Sequence, residues 1–222
     1  MRRVPAYVLA LLLAVATVWA ADQVVIEDWK AYPVGTKGIP PGWQGQDWGS
    51  PAYDFRVVED DGQRALHLKS RNEGSTVSKE VKGLTLKDTS ILEWRWKAVT
   101  LPKGGNSCKK PTDDQAVQVY VTWQRFPAAV RSRIIGYVWD TTVPVGTVCK
   151  SEKNAMVTYM VLRSGPGDLG KWLTEQRDVR ADFKKLYGEE PESPGGISVA
   201  SDSNDTQSSA EAFVGPILFR KP

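Results

Sequence analysis

Two stretches decide the fold: Leu92-Glu93-Trp94-Arg95-Trp96-Lys97-Ala98 and Val117-Gln118-Val119-Tyr120-Val121-Thr122-Trp123. In the first, Leu92, Trp94, Trp96 and Ala98 alternate with charged residues. In the second, Val117, Val119, Val121 and Trp123 alternate with Gln118, Tyr120 and Thr122. A period of two sends successive side chains to opposite faces, so each stretch reads as a half-buried strand. Working outward, 134–139 and 156–162 are apolar on both faces, as expected of central strands in a two-layer structure. Shorter strands are expected at 24–29, 55–58, 65–70, 76–81, 197–200 and 211–219. Glu59-Asp60-Asp61-Gly62 separates two of them, and Asp-Gly supplies the positive φ angles of a tight hairpin turn.

One helix interrupts this pattern. Val179, Phe183, Leu186 and Tyr187 recur at helical spacing, Asp178 can cap the N-terminus, and Gly188 can take the left-handed conformation that ends a helix. About ten strands without a repeating βα unit predict an all-β protein, an antiparallel β-sandwich of jelly-roll-like form with one short helix.

The first residues predict export. Arg2 and Arg3 precede an apolar stretch of roughly 11 residues, and Val18-Trp19-Ala20 offers compact side chains before Ala21, the pattern of a signal peptide over 1–20. The apolar stretch is too short to span a bilayer core of about 30 Å, and no later run approaches that length. The expected mature chain, 21–222, is a single soluble domain, periplasmic or secreted, with no membrane span. Its charge is close to balanced, the whole chain having 29 Lys and Arg against 26 Asp and Glu. Such a surface has no electrostatic footprint for nucleic acid. Arg125, Arg131 and Arg133 read as a solvated loop between strands. Cys108 and Cys149, in an oxidising compartment, are expected to form a disulfide. With one histidine the chain cannot assemble a typical zinc site.

Several motifs resemble one family of exported bacterial proteins. They are Leu92 to Lys97, Asp113-Asp114 before a Val-rich strand, Gly136-Tyr137-Val138-Trp139, Pro144-Val145-Gly146-Thr147, the run from Gln176 to Asp182, and Ser201-Asp202-Ser203-Asn204-Asp205-Thr206. In kind and order they are similar to DUF3047, with Asp178 where that family usually has Asn and Asn204-Asp205 inverting its Asp-Asn order. The resemblance implies an exported single β-sandwich domain, with a looser likeness to carbohydrate-binding modules and to some glycan hydrolases and lyases.

No catalytic signature stands out. His67, between Leu66 and Leu68, reads as a solvent-facing strand residue rather than a general base. No Gly-x-Ser-x-Gly elbow occurs. Asp113 and Asp114 are the weak candidates for the paired carboxylates of a glycosidase; on a strand they would point apart, but on a loop they could act together. The oxygen-rich turn around Asp202 and Asp205 has the ligand type of a weak Ca²⁺ site, or of an Asx-rich turn that bonds only to itself. Trp94, Trp96, Trp123 and Trp139 fall on apolar strand faces and read as core. Trp43, Trp48 and Trp172 sit in polar, loop-like sequence, where exposed indoles can stack on sugar rings. The expectation is a non-catalytic binding domain for a glycan or similar polar polymer; the alternative is a polysaccharide-acting hydrolase or lyase. Carboxylates, Arg and Tyr converging in one cleft would favour the enzyme, and an aromatic strip without them would favour binding.

Overall fold

A computed structural model describes residues 23–222; the expected signal peptide lies outside the described residues. The chain forms strands β1 (Gln23–Glu27), β2 (Gln44–Gly45), β3 (Asp54–Asp60), β4 (Gln63–Arg71), β5 (Gly74–Glu80), β6 (Ile91–Thr100), β7 (Val117–Trp123), β8 (Arg133–Asp140), β9 (Val148–Lys150), β10 (Val157–Ser164), β11 (Leu173–Asp178), β12 (Gly196–Asp202) and β13 (Ser209–Arg220). A single helical turn, α1 (Ala128–Arg131), precedes β8, and the main helix is α2 (Val179–Tyr187). Among the described residues no helix is long and apolar enough to cross a membrane.

The strands make two sheets. Sheet A has six strands in the order β11-β6-β13-β4-β3, with β1 pairing to the end of β13; sheet B has seven in the order β2-β5-β12-β7-β8-β10-β9. The alternation read in β6 and β7 decides how they face. Trp94 and Trp96 from sheet A and Val119, Val121, Tyr137 and Trp139 from sheet B are at most 1% exposed and meet in one shared core. Trp94 packs edge-on against Trp96 with ring centroids 5.3 Å apart, and Trp96 lies 6.1 Å from Trp139 across the sheets. The protein is a β-sandwich of jelly-roll-like form.

Among the described residues pairing is antiparallel with one exception: β10 runs parallel to β8. A parallel neighbour needs a crossover rather than a tight turn, and the segment 141–156, with β9 inside it, supplies the connection. This also explains why β8 and β10 are apolar on both faces. Their outer face is covered by part of that crossover and by the Cys108 segment, in a second apolar cluster of Val138, Val143, Val157, Tyr159 and Val161 with Cys108 and Cys149 packed against it. The Cys108–Cys149 disulfide is formed, with Cα atoms 5.7 Å apart, and ties the two covering segments together.

Local signals set the connections. Asp61 and Gly62, at φ 49° and 73°, make the two-residue turn between β3 and β4, leaving Asp60 opposite Gln63. In α2 the Asp178 carboxylate accepts the Ala181 N–H at 3.0 Å, and Gly188 closes the helix at φ 72°. The helix is pinned by a buried group: Tyr137 donates to Asp182 at 2.8 Å, and Arg177 grips the same carboxylate. β1 stops at Glu27, short of the expected 24–29. Its carboxylate accepts the N–H groups of Asp28 and Trp29 and turns the chain, holding Trp29 at φ 61° while its indole is fully buried.

Candidate functional site

Because Val77, Val119, Val121, Ile197 and Val199 point inward from β5, β7 and β12, their neighbours must point out of sheet B. There Thr76, Ser78, Gln118, Tyr120, Thr122 and Ser198 floor a cleft of about 960 Å³, continued by Ile134, Val157 and Tyr159 from β8 and β10. Such a volume is within the range of small-ligand sites. Three loops supply walls: Gln46 to Ser50 before β3, Asn72 and Glu73 between β4 and β5, and Ser151 to Asn154 before β10. Trp48 stands on the rim, 60% exposed.

Gly136 makes the floor possible. A Cβ there would lie 2.7 Å from the Tyr120 ring and 2.9 Å from the Tyr159 ring. The two rings instead close over the bare backbone of β8, their centroids 6.4 Å apart.

Beneath the rings runs a chain of polar side chains. Tyr120 donates to Gln118, Gln118 to Gln115 at 2.5 Å, and Gln115 to Asp113 at 2.8 Å; Ser151 and Tyr159 donate to the other Asp113 oxygen at 3.2 and 3.4 Å. Asp113 is 4% exposed, and burial pushes its carboxyl above the usual range despite the bonds from Gln115, Ser151 and Tyr159. Burial above all raises both tyrosine hydroxyls, and the neighbouring Asp113 adds to it. They are therefore neutral hydrogen-bond donors at physiological pH.

Asp114 plays a different part. It lies on a loop, as Asp113 does, yet its carboxylate turns away to accept the N–H groups of Asp205 and Thr206 at 3.1 and 2.6 Å. The Asp113-Asp114 stretch and the 201–206 stretch, two of the motifs singled out in the sequence, thus meet in space. Asp205 pairs with Lys153. Asp202 lies against Gly74, where an added Cβ would approach its carboxylate to 2.8 Å. Burial and then the charge of Asp114 push the Asp202 carboxyl up to about 8. Among the described residues no group of three or more His, Cys, Asp or Glu side chains is arranged to hold a metal ion. Of the two residues read from sequence as Ca²⁺ ligands, Asp202 accepts the Asn204 N–H at 3.4 Å and Asp205 pairs with the Lys153 ammonium.

The three loop tryptophans do not form a common surface. Trp43 is 5% exposed, stacked on Trp29 at 5.3 Å, and donates to the buried Glu27 at 2.9 Å. After Pro40-Pro41-Gly42 the chain turns this ring into the shared core. Burial opposes ionisation of Glu27, but bonds from Lys79, Trp43 and the Trp29 N–H prevail and hold its carboxyl below the usual range. Trp172 lies half-buried on the outer face of sheet A, donating to Asp60 at 2.7 Å and covered by Arg95 and Lys97. Only Trp48 of the three borders the cleft. His67, on the same outer face as Trp172, stacks on Phe213 at 4.1 Å and meets Glu211 at 2.7 Å. Sequence reasoning missed Tyr120, Tyr159, Gln118 and Lys153. The signal for the first was present: an aromatic residue on the polar face of an alternating strand.

Three solved structures illustrate what the chain is similar to. The family 11 carbohydrate-binding module of the cellulosomal cellulase Lic26A-Cel5E of Clostridium thermocellum aligns with 92% of this chain and 97% of its own, at 8% identity and a TM-score of 0.46. The family 30 carbohydrate-binding module of cellulase Cel9D-Cel44B from the same organism covers 90% and 97%, at 12% identity and a TM-score of 0.43. The CBM22-1 xylan-binding domain of Xyn10C from Paenibacillus barcinonensis covers 91% and 97%, at 11% identity and a TM-score of 0.41. No curated protein matches the sequence. Residues 41–218 match DUF3047, a protein family of unknown function, and the chain belongs to that family.

Proposed function

We propose that the protein, once exported, binds a glycan chain in the cleft on the outer face of sheet B. One observation carries this reading: a cleft of about 960 Å³ whose floor joins hydroxyl and amide side chains to two tyrosine rings, with a 60% exposed indole at its rim. Sugars present hydroxyls at their edges and an apolar C–H face. A floor of Ser78, Ser198, Thr122 and Gln118 answers the first, and Trp48, Tyr120 and Tyr159 answer the second. Export remains part of the proposal, resting on the sequence of residues 1–20 and consistent with the disulfide.

A second reading, a polysaccharide-acting enzyme, is favoured by the convergence of Asp113 and Asp202 with Tyr120 and Tyr159 on one cleft. Binding without chemistry is the better supported. Asp114 spends both oxygens on backbone N–H groups, and Asp113 is engaged by Gln115, Ser151 and Tyr159. The test is a glycan array and affinity gels run with mature protein and with Trp48→Ala. The expected result is retention by at least one polysaccharide, lost in the variant without a change in melting temperature, and no release of reducing or unsaturated ends. Absence of any retained glycan would overturn the binding reading, and release of such ends would replace it with the enzymatic one.

A further inference from the structure

The glycan-binding reading can be taken one step further, and this step rests on it. The cleft is lined by three acidic side chains, Glu73, Asp113 and Asp202, against one basic residue, Lys153. That ammonium is already paired with Asp205. Glu73 accepts the Ala52 N–H at 3.1 Å and the Ser75 hydroxyl at 2.5 Å through one oxygen, while its other oxygen is buried without a partner. The lining therefore has no cation to spare.

We infer that the cleft takes an uncharged glycan and rejects polymers bearing carboxylate or sulfate groups. A neutral sugar brings hydroxyl groups that the Ser78, Ser198, Thr122 and Gln118 side chains of the floor can meet without any counter-charge. An acidic sugar would bring a carboxylate or sulfate beside Glu73 into a cleft whose one lining ammonium is already paired with Asp205, and a charge that leaves water without a counter-ion is disfavoured. Selectivity of this kind comes from repulsion of the wrong ligand as much as attraction of the right one.

The test is affinity electrophoresis of the mature protein through mixed-linkage β-glucan, xylan, mannan, polygalacturonate and alginate at equal ionic strength. The expected result is retention by at least one of the neutral polymers, with affinity for both acidic polymers at least tenfold weaker. Added salt should raise the affinity for the acidic polymers by screening the repulsion, and Glu73→Gln should narrow the gap. Polygalacturonate or alginate bound as tightly as the best neutral polymer, and released by Trp48→Ala, would overturn the inference while leaving glycan binding intact. A gap unmoved by both salt and Glu73→Gln would also overturn it. No retention by any of the five polymers, or retention indifferent to Trp48→Ala, would remove the glycan reading and this inference with it.

Discussion

Replacing Gly136 with alanine tests the architecture of the cleft floor. The new Cβ would lie 2.7 Å and 3.0 Å from two carbons of the Tyr120 ring and 2.9 Å from one of the Tyr159 ring. Carbon atoms rest at about 3.5–4.0 Å, so the rings must retreat by roughly 1 Å. Neither can do so freely. Tyr120 is bonded to Gln118, and Tyr159 is 6% exposed and packed in the second apolar cluster. Overpacking of this kind costs about 1–3 kcal/mol. For a domain of this size that lowers the melting temperature by roughly 2–12 °C. Gly167 is the control, because a Cβ there meets nothing within 4 Å and its φ is not in the left-handed region. Gly167→Ala should leave stability unchanged or raise it slightly. The assay is thermal melting by circular dichroism, with the tyrosine ring resonances followed by NMR. A Gly136→Ala protein that melts within about 1 °C of the parent, with both ring environments unaltered, would refute the reasoning.

Other substitutions separate core from rim and structure from titration. Trp43→Ala should cost about 3–5 kcal/mol, since it empties a buried site, whereas Trp48→Ala should leave the melting curve in place; chemical denaturation of both reads the difference. Loss of the Cys108–Cys149 bond, which spans 41 residues, should destabilise by about 4 kcal/mol in the chain-entropy model, measured on Cys108→Ala/Cys149→Ala by urea titration. Asp202 holds its proton up to about pH 8 when folded, against an ordinary value of 3.8. The unfolded chain therefore releases that proton first, and the contribution of Asp202 to stability, full below pH 4, declines as pH rises toward 8. Asp202→Asn should flatten that decline and melt higher than the parent at pH 8; an identical pH profile for the two proteins would contradict the assignment.

Much of the sandwich was legible because burial imposes a period on the sequence. Trp94, Trp96, Val119 and Val121 alternate with polar neighbours, and their strands appear with the inward faces so marked. Asp178 and Gly188 bracket α2 by chemistry that is local in the chain. Strands β2 and β9 are two and three residues long, too short to show a period. β11 was hidden by its polarity, since its inward residue Glu175 is buried against Trp96 and Arg163 rather than being apolar. The parallel pairing of β8 and β10 depends on where a long crossover lies, which no local pattern specifies. Loop composition misled most at Trp43, whose Pro-Gly and Gln-Gly surroundings suit an exposed ring equally well. The cleft escaped notice for a related reason. Ser78, Ser198, Thr122 and Gln118 form the polar half of each alternation, and only the surrounding loops make that face a cleft rather than open surface.

The central claim is that ligand binding resides on the outer face of sheet B. Backbone and indole NMR shifts, followed while titrating the mature protein with an oligosaccharide of the polymer that retains it, test this most directly. The account predicts shifts concentrated at Trp48, Ser78, Gln118, Tyr120, Tyr159 and Ser198. Shifts centred instead on His67, Trp172 and Phe213, on the outer face of sheet A, would contradict it.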